Sequence, residues 1–447
     1  MNTHVLIVGG GPAGIVSAIT AKKNYPTKEV TLIRDKERVL VPCGIPYIFN
    51  RLENVEKNTM SDDYIQKNNI NLTIGKVQKL NVSDKNVLLE NGDVISYEKL
   101  IIATGSKPLV SNIKGADKNG VWIIEKDLDY LKKLRESVIN NSKNIVIIGG
   151  GFIGVEIAEE LSNIAGLDIT IVERLGSCLA TSFDRNFCEM AEQVLKNKGV
   201  AIKTNSSVGE IIGETKVEYV VLSSGERIPA DLVILSIGAR PNIELVKDSE
   251  IKTGSFGGIW VDEYMKTNVP DVFAVGDCAE TRDFFTGDHV PIMLASKASM
   301  EARIAGANLY QLKLIRENKG SLNTFSTYLD GFVFGVAGLT EDKASTLGFE
   351  VVIGESVCPN HHPGTLPETH SVTSKLIFMK SSGTLLGAQV MGPENVSELI
   401  NIAGLAIQNK FTAFDLEFLQ VATHPLVTSA PTVYPLIDAS IKAISQM

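Results

Sequence analysis

Short apolar runs, several of them closed by glycine, recur along the chain and set its plan. His4-Val5-Leu6-Ile7-Val8 is a β-rich run that leads into Gly9-x-Gly11-x-x-Gly14 and then a helix over Ile15 to Lys23, and Val30-Thr31-Leu32-Ile33 reads as the next strand. Residues 72–110 are β-rich, turn at Asn91-Gly92-Asp93, and end in the apolar run that carries Ala103-Thr104-Gly105 and Pro108. The pattern then restarts. Asn144-Ile145-Val146-Ile147-Ile148 precedes Gly149-x-Gly151-x-x-Gly154, with Phe152 and Ile153 inside the loop, a helix over Val155 to Asn163, and a strand from Asp168 to Val172 that ends on Glu173. Gly225-Glu226 sits in another hairpin-like segment, and Val233 to Pro241 repeats the earlier ending: both carry Gly-x-x-Pro after an apolar strand, at Gly105 and at Gly238.

A third strand, Val272 to Val275, closes on Gly276-Asp277, and residues 292–309 form a helix rich in small side chains, suited to lying under a flat ligand. From about Ser321 the periodicity changes. Thr324 to Leu339 and Ser371 to Met391 alternate as antiparallel strands, Val396 to Gln408 is an amphipathic helix, and no glycine loop recurs. The expected fold is α/β: two related Rossmann-like dinucleotide-binding domains and a C-terminal α+β layer that forms an interface or a substrate lid.

The glycines have a mechanical role. They permit a tight turn, let a phosphate approach the backbone and allow close helix–strand packing, while the helix N-terminus supplies free N–H groups. An acid at the end of the following strand accepts hydrogen bonds from the adenosine ribose. The second copy has that acid, Glu173, which favours NADH over NADPH because a carboxylate repels a 2′-phosphate, although Arg174 beside it softens the preference. A solvated strand-end carboxylate is the plainer reading. The first copy has Arg34 there, which leaves Asp35 as the candidate for the ribose. Unequal acids suggest two different cofactors.

Length and charge narrow the class. At 447 residues the chain exceeds one ordinary core, so two or three domains are expected. A net charge of -9 without a basic run argues against nucleic acid, and no run approaches the roughly 20 apolar residues of a membrane span. The first residues enter a strand at once, without the sections of a secretory leader, so the cytoplasm is the expected compartment. Cysteines 43, 178, 188, 278 and 358 form no CxxC pair and no metal-ligand spacing, so neither a disulfide framework nor a metal site is expected. Cys43 precedes Gly44-Ile45-Pro46, which reads as the opening of a helix whose N-terminus would stabilise a thiolate. The alternative is a small core side chain.

With its two glycine loops, the Ala103-Thr104-Gly105 and Gly276-Asp277 strand ends and the lone Cys43, the sequence resembles the FAD-dependent pyridine nucleotide–disulfide oxidoreductases. It is most similar to their single-cysteine branch of coenzyme A-disulfide reductases, NADH-dependent persulfide or polysulfide reductases and NADH oxidases and peroxidases. The resemblance spans essentially the whole chain. It implies that 1–112 and 248–320 bind FAD, that 113–247 bind NADH (with NADPH possible), and that 321–447 form the interface of a homodimer. It further implies that Gly9, Gly11 and Gly14 hold the FAD pyrophosphate and Asp277 its ribityl chain. Gly149, Gly151, Gly154 and Glu173 would hold NADH, Glu156 would lie near the nicotinamide, and Cys43 would face the flavin.

Departures separate the subfamilies. No second cysteine follows Cys43 within five residues, which excludes two-cysteine chemistry. Pro12 and Ala13 stand where oxidase and peroxidase members carry a histidine, and neither His361 to Pro367 nor Ala422 to Leu426 offers the tyrosine of coenzyme A reductases. The second segment instead resembles the His-Pro segment of two-cysteine reductases, which makes His424 a candidate acid–base, although Ser429 replaces the partner glutamate. The expected reaction is NADH-dependent reduction of a disulfide, persulfide or polysulfide through Cys43. The alternatives are reduction of oxygen at the flavin, and an electron-transfer flavoprotein or redox sensor acting on a protein partner.

Overall fold

The computed structural model describes residues 1–110, 112–290, 292–315 and 320–447. Two compact units divide it: one from residues 1–110, 123–136 and 237–321, the other from 111–122, 137–236 and 322–447.

The first unit is built on a seven-stranded sheet. Asn2–Val8 lies between Val30–Arg34 and Val94–Ile102, parallel to both, and Asn71–Ile74 extends the sheet beside Val30–Arg34. Val5–Val8, Val30–Arg34 and the end of Val94–Ile102 are buried on both faces, which tolerates sequence that does not alternate. On its other edge Val94–Ile102 serves two partners. Its beginning pairs antiparallel with Asn86–Leu89 across the turn at Gly92, and its end pairs parallel with Val272–Ala274. The register aligns Val8 with Ile33 and Ile102, and Ile102 with Ala274, so four carboxyl ends share one edge.

The helix Pro12–Asn24 starts earlier than expected because Pro12, with its fixed φ and missing N–H, is suited to a first helical turn. It packs against Ala295–Ala307. A Cβ on Gly306 would come within 2.9 Å of Ser17 O and Thr20 Cβ. The small residues of this second helix therefore serve a close helix–helix contact, a use their composition alone did not indicate.

The second unit holds three sheets, the smallest being the antiparallel Val208–Ile212, Tyr219–Leu222, Arg227–Pro229. In the one that carries the second glycine loop, Asn144–Ile148 lies between Asp168–Val172 and Leu232–Leu235, parallel to both. The helix Phe152–Ser162 follows its glycine loop. The C-terminal antiparallel sheet runs Thr324–Leu329, Phe332–Gly338, Leu385–Pro393, Ser371–Met379, Val351–Pro359. Its last strand was not anticipated. The helix Leu399–Gln408 and the final helix Pro435–Ile444 pack on it. A buried ion-pair network ties the two halves of this unit: Lys375 lies 2.9 Å from Asp184 and 2.6 Å from Glu341, and the Gln389 amide donates to Asp184 at 2.6 Å. Among the described residues no helix is long and apolar enough to cross a membrane.

Candidate active site

The two glycine loops are the same backbone device built twice. Gly9 and Gly149 have φ of +120° and +109°, and their N–H groups donate to Ile33 O at 2.8 Å and Val172 O at 2.9 Å. Gly11 and Gly151 are the N-caps, at φ −73° and −75°, and no atom lies within 4 Å of where their Cβ would be. A Cβ on Gly14 or Gly154 would strike the carbonyl of Gly9 or Gly149. The first glycine thus makes the turn, the third seats the helix on the strand, and the second of the motif leaves open space at a helix N-terminus. Each loop is therefore a cradle into which the pyrophosphate of a dinucleotide fits.

The edges around the first loop complete it. Ala103 N donates to Val8 O at 2.8 Å, and Ala103 O lies where a Cβ on Gly9 would fall. Gly105 has φ +71° and turns the chain into Ser106–Pro108, which pairs antiparallel with Ala239–Pro241. The two Gly-x-x-Pro copies, at Gly105 and at Gly238 (φ +106°), are thus hydrogen-bonded to each other. Thr104 Oγ1 donates to Asn242 O at 2.7 Å and fixes the crossing.

Asp277 is oriented by Ser106 Oγ, which donates to its carboxylate at 2.8 Å, and Lys126 donates to the same Ser106 at 2.9 Å. Beneath the turn, the buried Glu301 accepts from Gly276 N at 2.9 Å, and Lys297 donates to Gly276 O at 3.1 Å. Burial pushes the Glu301 carboxyl up, opposed by the adjacent Lys297 charge. This support fixes the main chain of Gly276, immediately before Asp277.

The acid positions differ between copies. Glu173 accepts from Gly150 N at 2.6 Å and Leu175 N at 2.7 Å, so its carboxylate is held at the second loop. Arg34, its counterpart, is 3% exposed and pairs with Asp62 at 2.6 Å, while Asp35 is exposed. Arg34 holds the Asp62 carboxyl below its ordinary range. In the second unit Glu156 accepts from Thr327 Oγ1 at 2.7 Å, and desolvation pushes its carboxyl up to about 7.

Exposure sorts the cysteines. All five are thiols, and Cys43 alone is exposed. Burial pushes Cys178 up to about 12 and Cys188 to about 11, and raises Cys278 and Cys358 as well, so these four are poor nucleophiles. Cys43 lies in a 3₁₀ turn, Pro42–Gly44, followed by a second at Pro46–Ile48. The helix expected there does not form. Pro46 lacks the N–H that would bond to the Pro42 carbonyl in an α-helix, and the chain makes tighter bonds instead, Ile45 N to Pro42 O and Phe49 N to Pro46 O. A long-helix dipole is therefore not what acts on this thiol. Asn58 anchors the turn by donating to Val41 O at 3.1 Å, and its side chain fills the place of a Cβ on Gly44. This clamp was invisible in the sequence because it joins residues 17 apart.

In the second unit the two C-terminal histidine segments come together. His362 N donates to Pro425 O at 3.1 Å, and His362 Nδ1 lies 3.0 Å from Thr428 O. His424 is exposed, and its Nδ1 accepts from Leu426 N at 3.3 Å. Ser429 is buried and donates to Pro359 O, so its hydroxyl is committed to backbone rather than to the imidazole.

Known proteins share this architecture. The pyridine nucleotide-disulphide oxidoreductase profile matches residues 3–302, and that of the family's dimerisation domain matches 326–433. The NAD(P)H coenzyme A polysulfide/persulfide reductase of Pyrococcus horikoshii is 34% identical over 98% of this chain and 97% of its own. The structure of a NAD-dependent persulfide reductase from A. fulgidus superposes with TM-score 0.91 at 28% identity, covering 100% of this chain and 83% of that one. A water-forming NADH oxidase from Lactobacillus brevis, bound to NADH, gives 0.90 at 26% identity, covering 99% and 98%.

Proposed function

Because the chain belongs to the pyridine nucleotide-disulphide oxidoreductase family, whose members are NAD(P)H-dependent FAD oxidoreductases, we propose that it reduces sulfur–sulfur bonds of small substrates through Cys43. The observation that carries the reading is the sorting of thiols: one exposed cysteine, on a clamped turn in the same compact unit as the first glycine loop, and four buried ones. The likeness to persulfide reductases supports the substrate class, a disulfide, persulfide or polysulfide, with coenzyme A disulfide among the candidates.

In this account the first loop, with Ala103, Thr104, Gly105, Gly276 and Asp277, holds FAD, and the second loop holds NADH through Gly149, Gly151, Gly154 and Glu173. FAD supplies, when bound, a two-electron acceptor for hydride. The Cys43 thiolate attacks the substrate's sulfur–sulfur bond, forming a mixed disulfide and expelling the other sulfur as a thiolate. Two electrons originating from NADH then cleave the mixed disulfide and return the Cys43 thiolate with the second substrate thiolate. His424 is the acid–base group we assign to the departing thiolate, and Glu156 is the carboxyl assigned to the nicotinamide side. A homodimer through the C-terminal layer and a cytoplasmic setting complete the proposal.

Alkylation tests it. Iodoacetamide added to NADH-reduced enzyme is expected to label Cys43 alone, to stop sulfur reduction and to leave flavin reduction intact. Sulfur turnover that survives complete labelling of Cys43 refutes the reading. The match to a water-forming NADH oxidase supports a second one, oxygen reduction at the flavin; it predicts oxygen uptake unaffected by the label.

A further inference from the structure

The two glycine loops differ at one corner in the sign of the group they present. In the second unit a Cβ on Gly150 would lie 3.2 Å from Glu173 Cβ, and the Glu173 carboxylate satisfies the Gly150 N–H. In the first unit a Cβ on Gly10 would lie 2.6 Å from Arg34 Cβ and 2.7 Å from Arg34 Cδ, so the Arg34 stem crosses Gly10 as the Glu173 stem crosses Gly150. The hydrogen bonding at this corner is reversed. Gly10 is buried, and its N–H has no acceptor among the described residues. Arg34 Nε is buried and also has none.

The rest of the guanidinium is engaged. NH1 donates to Asp62 Oδ1 at 2.6 Å, and NH2 donates to Asp62 Oδ2 at 2.7 Å and to the Glu37 carbonyl. The bidentate pair fixes the plane of the fork and leaves Nε as the one guanidinium nitrogen without a partner among the described residues. A buried donor without an acceptor costs about 1–3 kcal/mol, so a group that supplies an oxygen there is favoured.

We propose that Arg34 Nε–H, with Gly10 N–H, binds a hydroxyl oxygen of the adenosine ribose of FAD, in place of the acid that performs this task in the second loop. Asp62 is a positioning residue: it holds the guanidinium so that Nε remains available at Gly10. The ribose hydroxyl is read as an acceptor by the first loop and as a donor by the second. Because the terminal guanidinium nitrogens are already occupied and Asp62 carries a negative charge beside them, this corner takes an unphosphorylated ribose. Asp35, one residue on and exposed, is not required for the contact.

The inference rests on FAD occupying the first loop and is independent of Cys43. The test is the rate of flavin release from holoenzyme, monitored by the rise in free-flavin fluorescence. Chromatographic identification of the released flavin as FAD checks the premise separately. Wild type, Arg34→Lys and Asp62→Asn are each loaded with FAD and with FAD carrying 2′-deoxyadenosine or 3′-deoxyadenosine. From the wild type at least one deoxy analogue is expected to leave about tenfold faster than FAD, the scale of one hydrogen bond to a charged donor. In Arg34→Lys, FAD itself leaves faster and the discrimination collapses toward unity; in Asp62→Asn it shrinks. Circular dichroism of each variant shows whether it is folded, and Asp62→Asn, which keeps the shape of the pair, carries the test if Arg34→Lys is not. Equal release of FAD and both analogues from the wild type, or discrimination undiminished in both folded variants, overturns the proposal.

Discussion

Glu173 is held by the N–H groups of Gly150 and Leu175, and in the proposed account its charge lies where a 2′-phosphate would have to sit. Glu173→Gln keeps the shape and removes the charge. The ratio of kcat/KM for NADPH to that for NADH is expected to rise on the order of tenfold, the Coulomb scale for a partly screened pair; an unchanged ratio contradicts the assignment. Glu156 makes a pH prediction. Its carboxyl titrates near 4.5 when unfolded and at about 7 when folded. Between these values the folded chain keeps a proton that the unfolded chain has lost. Stability therefore falls as pH rises through that window, by roughly 3 kcal/mol in all. Glu156→Gln is expected to be no more stable than wild type near pH 5 and clearly more stable at pH 8; parallel denaturation profiles across that range would exclude the shift. At this scale the turn-making glycines were legible because their spacing is a local pattern, Glu173 was a candidate from its place at a strand end, and Cys43 was singled out through the family resemblance. Asp62 was not, since its partner is 28 residues away and only the fold brings them together.

The elements proposed to carry function are turns. The strand–loop–helix units were readable because an apolar run, three spaced glycines and a helical stretch lie within one short window. The Cys43 turn was misread as a helix start: Pro46 fits a first helical turn, but Pro42 four residues earlier is left without the N–H its carbonyl would need. The crossing of the two Gly-x-x-Pro segments was seen as repetition and not as pairing, because strand register depends on partners far apart in sequence. Gly44→Ala tests the clamp. An added Cβ strikes the Asn58 side chain, so the variant is expected to lose about 1–3 kcal/mol of stability and to turn over sulfur substrates more slowly, with flavin reduction by NADH retained. Full sulfur turnover would show that the turn need not be fixed.

On the scale of the whole molecule, the second unit joins a nucleotide-type sheet to the C-terminal layer, and much of that joint is polar and buried. Lys375 serves two carboxylates, Asp184 and Glu341. Lys375→Met leaves Asp184 as a buried charge held only by Gln389 and backbone, and the expected loss is about 3–5 kcal/mol in chemical denaturation. A loss below about 1 kcal/mol, the scale of a surface ion pair, would show that water reaches the pair. The three-part plan of the chain was legible from its change of periodicity near residue 321, whereas the grouping into two compact units was not, since it depends on contacts such as Lys375 to Asp184.

The central claim is that electrons from NADH reach substrate sulfur by way of Cys43. Anaerobic stopped-flow of the FAD enzyme tests it most directly: reduce with NADH, then mix with coenzyme A disulfide or a persulfide, for the wild type and for Cys43→Ser. The account predicts that both proteins show the same rapid flavin reduction and that only the wild type is rapidly reoxidised by the sulfur substrate. Equal reoxidation of the two proteins, or rapid reoxidation by oxygen alone, would contradict it.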